Sequence, residues 1–297
     1  MDPYLLRYFL AVVETGSFSK AASASSVTQP TLSAGIKRLE ETVGAALFVR
    51  NNKRVFLTTA GARFLPRAKT ILHECNLALA EVAQGVTAPV LRLGVLHTLP
   101  SQRIAGLIKS VRAIHPNTQF ELSDGTEQEL LNRMDERGID FALSIRRVED
   151  DRSVPLYREG YSLVLPPDHP LAGAGTVRGE DMADQPMIVR SFCEVLSETS
   201  RYFTDRNVRP PLVYRTRHDE RALDMVSAGV GATVMPQSYQ TSYQNGAAAF
   251  VNLEGFTPTR QIGLFRPRHE LPQAVRAIAD DFMRQAEDYF QSTYFRA

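Results

Sequence analysis

The stretch from Phe18 to Gly61, FSKAASASSVTQPTLSAGIKRLEETVGAALFVRNNKRVFLTTAG, constrains this chain more than any other part. Leu32, Ile36, Leu39 and Val43 recur at steps of four, three and four, which predicts a helix from about Gln29 with one buried stripe. Thr28 suits its N-cap, and Pro30 is tolerated in a first turn, where amides lack intrahelical partners. Gly44 suits its end. Ahead of it, Phe18, Ala21, Ala22 and Val27 frame a short helix whose alanines permit close crossing, with Ser25-Ser26 in the turn. After it, LFVRNNKRVFLT holds two apolar runs around Asn51-Asn52. Asn tolerates positive φ, so a hairpin is expected there.

Helix, turn, helix and hairpin in this order describe a winged helix-turn-helix. Gln29, Ser33 and Lys37 fall four apart on the face away from the stripe, with Pro30 at the start of the same helix. From a major groove they reach base edges and phosphates. Arg50, Lys53 and Arg54 cluster on the hairpin and suit phosphates or a minor groove. The expected partner is double-stranded DNA. The charge agrees in its distribution, not in its sum. The formal net charge is only +1, but residues 1–59 hold seven Lys/Arg against four Asp/Glu, and the rest hold 27 against 29.

FLAVVETGSFSKAA, TQPTLSAGIKRLEETVGAALFVR and LTTAG together resemble the LysR-type transcriptional regulators. The resemblance runs through the whole chain, more weakly after residue 90. Ala34-Gly35 stands where that family often has larger polar residues, so DNA contacts are expected to be lost there. The glycine also costs the helix about 1 kcal/mol relative to Ala.

Organisation follows from periodicity. A first helix is expected over Tyr4–Thr15, with Leu6, Phe9, Leu10 and Val13 buried. A long helix is expected from Thr58 or Thr59 to about Gly85. Phe64, Ala68, Ile71, Cys75, Ala78 and Val82 alternate steps of four and three along it. This heptad-like stripe predicts a dimer seam through Phe64, Ala68, Ile71, Cys75 and Val82. Pro66 lies inside it and should bend it or remove a hydrogen bond. Beyond residues 85–89 strands alternate with helices, which argues a parallel α/β sheet. The expected domains are 1–59 (winged helix-turn-helix), 60–89 (linker helix) and 90–297 (effector domain). The resemblance implies a two-lobed, periplasmic-binding-protein-like effector domain, with lobe one at 90–163 plus 266–297 and lobe two at 164–265. It also implies a homodimer or tetramer.

Open α/β sheets bind ligands at the carboxyl ends of their strands. Those ends offer His97, Thr98, Thr126, Ser144, Arg146, Arg190, Cys193 and His218. The resemblance places a small-molecule inducer among them, with Thr98 and Thr126 as hydrogen-bonding positions. Helix N-termini after Thr126 and Cys193, with Arg146, Arg190 and Arg217, favour an anion such as a small carboxylate. Cys193, in MIVRSFCEVLSE, is placed as is the reactive cysteine of the family's peroxide sensors. Those sensors have a second cysteine nine residues on, where this chain has Tyr202. A redox role for Cys193 is therefore the alternative, with oxidation ending at sulfenic acid or a mixed disulfide.

Other classes are disfavoured. G-x-G-x-x-G, Walker A, G-x-S-x-G and H-E-x-x-H patterns are absent, and the glycines of GVG at 229–231 precede a strand, so catalysis is not expected. Two cysteines without C-x-x-C spacing suggest no metal or cofactor. MDPYLLRYFLAVVETG lacks a basic start and no apolar run is long enough for a membrane span, so a cytoplasmic protein is expected. A solute-binding protein carrying an accessory domain is the rival from another class. The absent leader and the wing arginines weigh against it.

Overall fold

The computed structural model describes residues 2–51, 54–83, 88–147, 150–243 and 246–294. Two compact units are present, Met1–Thr87 with Glu136–Gly138, and Ala88–Asp135 with Ile139–Ala297.

The first unit contains α1 (Pro3–Thr15), α2 (Phe18–Ala24), α3 (Gln29–Val43), β1 (Phe48–Asn51), β2 (Arg54–Leu57) and α4 (Thr59–Ala83). α3 starts and stops on its expected signals. The Thr28 hydroxyl accepts the Thr31 amide at 3.3 Å, and Gly44, at φ 76°, donates its amide to the Glu40 carbonyl. Leu32, Ile36 and Leu39 are fully buried against α1 residues such as Leu6 and Phe9. Gly35 is buried with them, and a Cβ there would lie 2.7 Å from the Tyr8 ring. This corrects the expectation that Gly35 marks a lost DNA contact: the glycine admits α1. Ala34 alone faces solvent. β1 and β2 form the antiparallel wing, with Arg50 opposite Val55 and Asn51 opposite Arg54.

α4 continues through Pro66. Its first half serves its own chain. Ala68 is fully buried, and the Phe64 ring stands 5.3 Å from that of Phe9. Phe64, half-buried, and Ala68, fully buried, thus pack into the core of this unit beside α1, and Ala68 is not free for a partner. Further along, Ile71 and Leu79 are 37% and 66% exposed, so the apolar stripe left for a second helix begins at Ile71. Cys75 is half-buried, and the Val82 side chain lies outside the described residues.

The second unit contains β3 (Val90–Leu96), α5 (Ser101–Ile114), β4 (Gln119–Gly125), α6 (Glu127–Asp135), β5 (Phe141–Ile145), β6 (Ser153–Glu159) and β7 (Tyr161–Leu165). It continues with β8 (Thr176–Val177), β9 (Met187–Arg190), α7 (Leu196–Thr204), β10 (Leu212–Thr216), α8 (Asp219–Ser227) and β11 (Thr233–Pro236). It ends with α9 (Ser238–Ser242), β12 (Ala249–Leu253), β13 (Arg260–Phe265) and α10 (Gln273–Tyr294). The lobe-one sheet has the order β4-β3-β5-β13-β6, and lobe two holds β11-β7-β12-β8 beside a parallel pair β10-β9. β3 runs parallel to β4 and β5, but β13 runs antiparallel to β5 and β6, so the sheet is mixed, not parallel throughout.

Sheet membership also moves the lobe limits. β7 belongs to lobe two and β13 to lobe one, so the chain crosses at Gly160 and returns just before Arg260. The expected limit at 163 cuts through β7, and the one at 266 puts the whole of β13 in lobe two, whereas it pairs within the lobe-one sheet. Each lobe has its own core, around Leu93, Phe141, Leu143, Phe282 and Phe290 in lobe one, and around Leu163, Val177, Met182 and Phe203 in lobe two. No described helix is long and apolar enough to cross a membrane.

Candidate functional site

The outward face of α3 carries Gln29, Pro30, Ser33 and Lys37. Gln29 donates from Nε2 to Ser33 Oγ at 3.0 Å, which sets the two side chains in one exposed polar pair. Lys37 stands 3.9 Å from Glu41, both exposed, a contact weak enough in water to give way to a phosphate. The backbones of Arg50 and Arg54 lie in the wing. Their side chains, and all of Lys53, lie outside the described residues.

In the second unit the strand ends of lobe one meet lobe two around one buried guanidinium. β13 begins at Arg260 and β6 ends at Glu159, and the two are paired across the sheet. Arg260 donates to Glu159 Oε1 from Nε at 2.9 Å and stands 2.8 Å from it through Nη2. It also reaches the turn after β3, donating to Thr98 Oγ1 at 2.7 Å and to the Thr98 carbonyl at 3.1 Å. Glu194 comes in from lobe two. Its Oε1 accepts from Arg260 Nη1 at 2.7 Å and from the Thr98 hydroxyl, and Tyr161 donates to its Oε2 at 3.4 Å. Arg260, Glu159 and Thr98 are almost wholly buried. Burial raises the Glu194 carboxyl, but Arg260, Arg190 and the Thr98 hydroxyl outweigh it and hold it below the ordinary carboxylate range. It is an ionised carboxylate spanning both lobes.

Two cavities flank this cluster and share Ile145, Arg147 and Glu194 in their walls. One, of about 480 Å³, is lined by His97, Thr98, Thr126, Gln128 and Phe192 among others. The His97 and Phe192 rings stack across it, one from each lobe, with centroids 4.3 Å apart. The other, of about 670 Å³, holds Arg146 and Arg158. Arg146 donates to Ser153 Oγ at 2.9 Å, and Arg158 donates to Thr259 Oγ1 at 2.8 Å.

The structure thus brings His97, Thr98, Thr126 and Arg146 to the cleft and separates the other four expected residues from it. Arg190 is fully buried and ion-paired with Asp219, and it donates from Nε to the Val234 carbonyl at 3.0 Å. Burial outweighs Arg190 and holds the Asp219 carboxyl above its ordinary value, and the ion pair commits the Arg190 charge to Asp219 and not to an anion in the cleft. Ser144 is buried within β5, and its hydroxyl finds no hydrogen-bond partner among the described residues. His218 is exposed ahead of α8 and lines neither cavity. Cys193 is not at a helix start: α7 begins at Leu196. It lines a separate, mostly apolar pocket of about 290 Å³ within lobe two, beside Met187, Leu196 and Phe203. The anion expected at helix N-termini also loses support at α6. Thr126 and Glu129 cap that end reciprocally, and a carboxylate is already in place.

The residues that sequence reasoning passed over are Glu159, Tyr161, Phe192, Glu194 and Arg260. The carboxyl-end rule finds Thr98, but β13 is antiparallel to β5, so its amino end, Arg260, is what arrives at that edge. Among the described residues no three His, Cys, Asp or Glu side chains are grouped as a metal site needs.

Comparison with known proteins agrees with both units. Residues 4–62 match the family model of the bacterial regulatory helix-turn-helix protein, lysR family, and residues 84–287 match the LysR substrate binding domain. A probable hydrogen peroxide-inducible genes activator of Mycobacterium avium is 30% identical over 283 residues, 92% of this chain and 91% of that protein. The transcriptional dual regulator OxyR of Escherichia coli is 26% identical over 98% of both chains. Among solved structures, the LysR family regulator CbnR superposes with a TM-score of 0.71 at 20% identity, over 96% of this chain and 99% of CbnR. A full-length OxyR variant from Pseudomonas aeruginosa gives 0.62 at 23% identity, over 98% and 95%. The chain belongs to the LysR family of bacterial helix-turn-helix transcriptional regulators.

Proposed function

We propose that this regulator binds operator DNA through α3 and the wing as a homo-oligomer in the cytoplasm, and that it responds to a small molecule entering the cleft between its lobes. It carries out no catalysis. The single observation that carries the effector reading is the buried cluster of Thr98, Tyr161, Glu194 and Arg260. A ligand that alters those contacts alters how the lobes are held, which is the differential interaction any ligand-driven switch needs. Support for the DNA reading comes from the exposed Gln29–Ser33 pair and from the basic wing. Gln29, Pro30 and Ser33 face bases; Lys37, Arg50, Lys53 and Arg54 face the backbone. Arg54→Ala is expected to weaken binding to every duplex and to reduce the salt dependence by about one counterion. Unchanged affinity and slope in a filter-binding titration would remove the wing from the interface.

A second reading is favoured by the relatives named as hydrogen peroxide-inducible activators. In it, Cys193 reacts with peroxide to give a sulfenic acid and water. Three features of the site weigh against a stabilised thiolate: Arg190 is committed to Asp219, the neighbouring residue is the Glu194 carboxylate, and no helix begins at Cys193. Loss of free thiol after stoichiometric hydrogen peroxide decides between the readings. Slow loss at Cys193, over hours, is the expected result. Loss within seconds, with the product trapped by a sulfenic-acid reagent, establishes the oxidant reading instead.

A further inference from the structure

We infer that Glu194 is a tethered ligand: its carboxylate occupies a carboxylate receptor formed by Thr98, Tyr161 and Arg260. A small carboxylate-bearing molecule acts on this protein by taking its place. The inference rests on the cleft being the effector site and names both the ligand class and the group the ligand must displace.

Three donors converge on the two carboxylate oxygens. The Thr98 hydroxyl and Arg260 Nη1 share Oε1, and the Tyr161 hydroxyl serves Oε2. All three donors are held from behind. Glu159 fixes the Arg260 guanidinium through Nε, the Thr98 carbonyl fixes its Nη2, and Tyr161 is buried at the first residue of β7. Glu159 is itself fixed, accepting from the Ser238 amide at 2.6 Å. A receptor held this way keeps its shape when its occupant changes. The occupant, by contrast, sits on a turn between β9 and α7, not within a regular element.

Next to the cluster the cations are already engaged: Arg147 has Glu127 at 2.6 Å, and Arg260 has both Glu159 and Glu194. Of the carboxylates on Arg260, Glu194 alone comes from lobe two, and exchanging it for a free carboxylate leaves the buried charge unchanged. A tethered group competes at an effective concentration of order millimolar or higher. An effective ligand therefore adds contacts that Glu194 does not make, and the His97–Phe192 stack and Thr126 lie in the adjoining cavity wall.

Chemical rescue tests this in the full-length protein. Glu194→Ala removes the tethered carboxylate and leaves the receptor. Its melting temperature should fall by on the order of 10 °C in sodium chloride. Replacing 100 mM chloride by 100 mM acetate should recover a few degrees. Acetate should not move the wild type, and Thr98→Val added to Glu194→Ala should abolish the recovery. If Glu194→Ala is insoluble from chloride, recovery of folded protein from acetate supports the receptor, and insolubility from both contradicts it. A folded variant that melts identically in the two salts overturns the inference. Footprints of the variant on operator DNA, with and without acetate, separate this from the function proposed above. Rescue without any change in footprint leaves the tethered ligand standing and removes the cleft from regulation.

Discussion

Arg260→Met is expected to lower the melting temperature of the effector domain by on the order of 10 °C, through a loss of about 3–5 kcal/mol. The guanidinium is buried, with carboxylates from Glu159 and Glu194 upon it. Methionine replaces the apolar stem but not the guanidinium, so the main loss is that of the charge and its hydrogen bonds. Two buried carboxylates lose the guanidinium they share, and the Thr98 carbonyl loses its donor. The acid dependence has a definite sign. In the wild type the Glu194 carboxyl is held below its ordinary range. It contributes stability that is complete above its unfolded value and is lost as pH falls through the folded value. In the methionine variant that contribution is gone, so the gap from wild type should be largest at neutral pH and should narrow below about pH 4.5. Thermal melts at pH 7 and pH 4 check both points. A gap of constant size at the two values means that Arg260 acts through packing alone.

Gly61→Ala should disable DNA binding with the effector domain left intact. A Cβ at this position would lie 2.1 Å from the Leu47 carbonyl oxygen and 2.9 Å from Leu57. The first of these is backbone and cannot swing aside. It is also engaged, accepting the Thr58 amide at 3.0 Å, and Thr58 in turn accepts the Gly61 amide at 2.9 Å. Gly61 thus lies at the joint where the wing meets α4. Overpacking of this kind costs about 1–3 kcal/mol and displaces the wing relative to α3. Affinity for operator DNA should fall at least tenfold, and an early transition should enter the melting curve. Wild-type affinity in fluorescence anisotropy would show that the joint yields without moving the wing.

The DNA-binding unit was legible because its signals are local. The Leu32, Ile36 and Leu39 stripe, the Thr28 cap and the Gly44 end each lie within a few residues of what they determine, while the turn expected at Asn51-Asn52 reaches outside the described residues. Gly35 was legible too, had its position been counted: it is three residues from Leu32 and four from Leu39, on the buried face. Its missing side chain disguised it as a polar position left empty. In the seam, periodicity marks Phe64 and Ala68 as facing a packed neighbour but does not say on which chain; both pack against their own α1. SVPLYRE, which forms β6, does not read as a strand because it carries a proline and charges. Pro155 is tolerated there because β6 is an edge strand whose register shifts beside it.

The effector cluster was the least legible part. Arg260 meets Thr98 across 162 residues and Glu194 across 66. No periodic pattern carries contacts of that range. The strand-end rule found one of the four residues, Thr98, and misassigned a free positive charge to Arg190. An arginine and a nearby aspartate on separate elements look the same in sequence whether they face a ligand or each other. The direction of β13 decided the rest, and a strand of RQIGLF does not declare its direction.

The central claim is that this chain is a sequence-reading DNA-binding protein. Titration of the full-length protein against duplex selected from its own genome, and against a random duplex of equal length, tests it most directly. Tighter binding to the selected duplex by a factor on the order of 10³ is expected, with affinity for both falling steeply as salt rises. Equal affinity for the two duplexes, or affinity indifferent to salt, would contradict it.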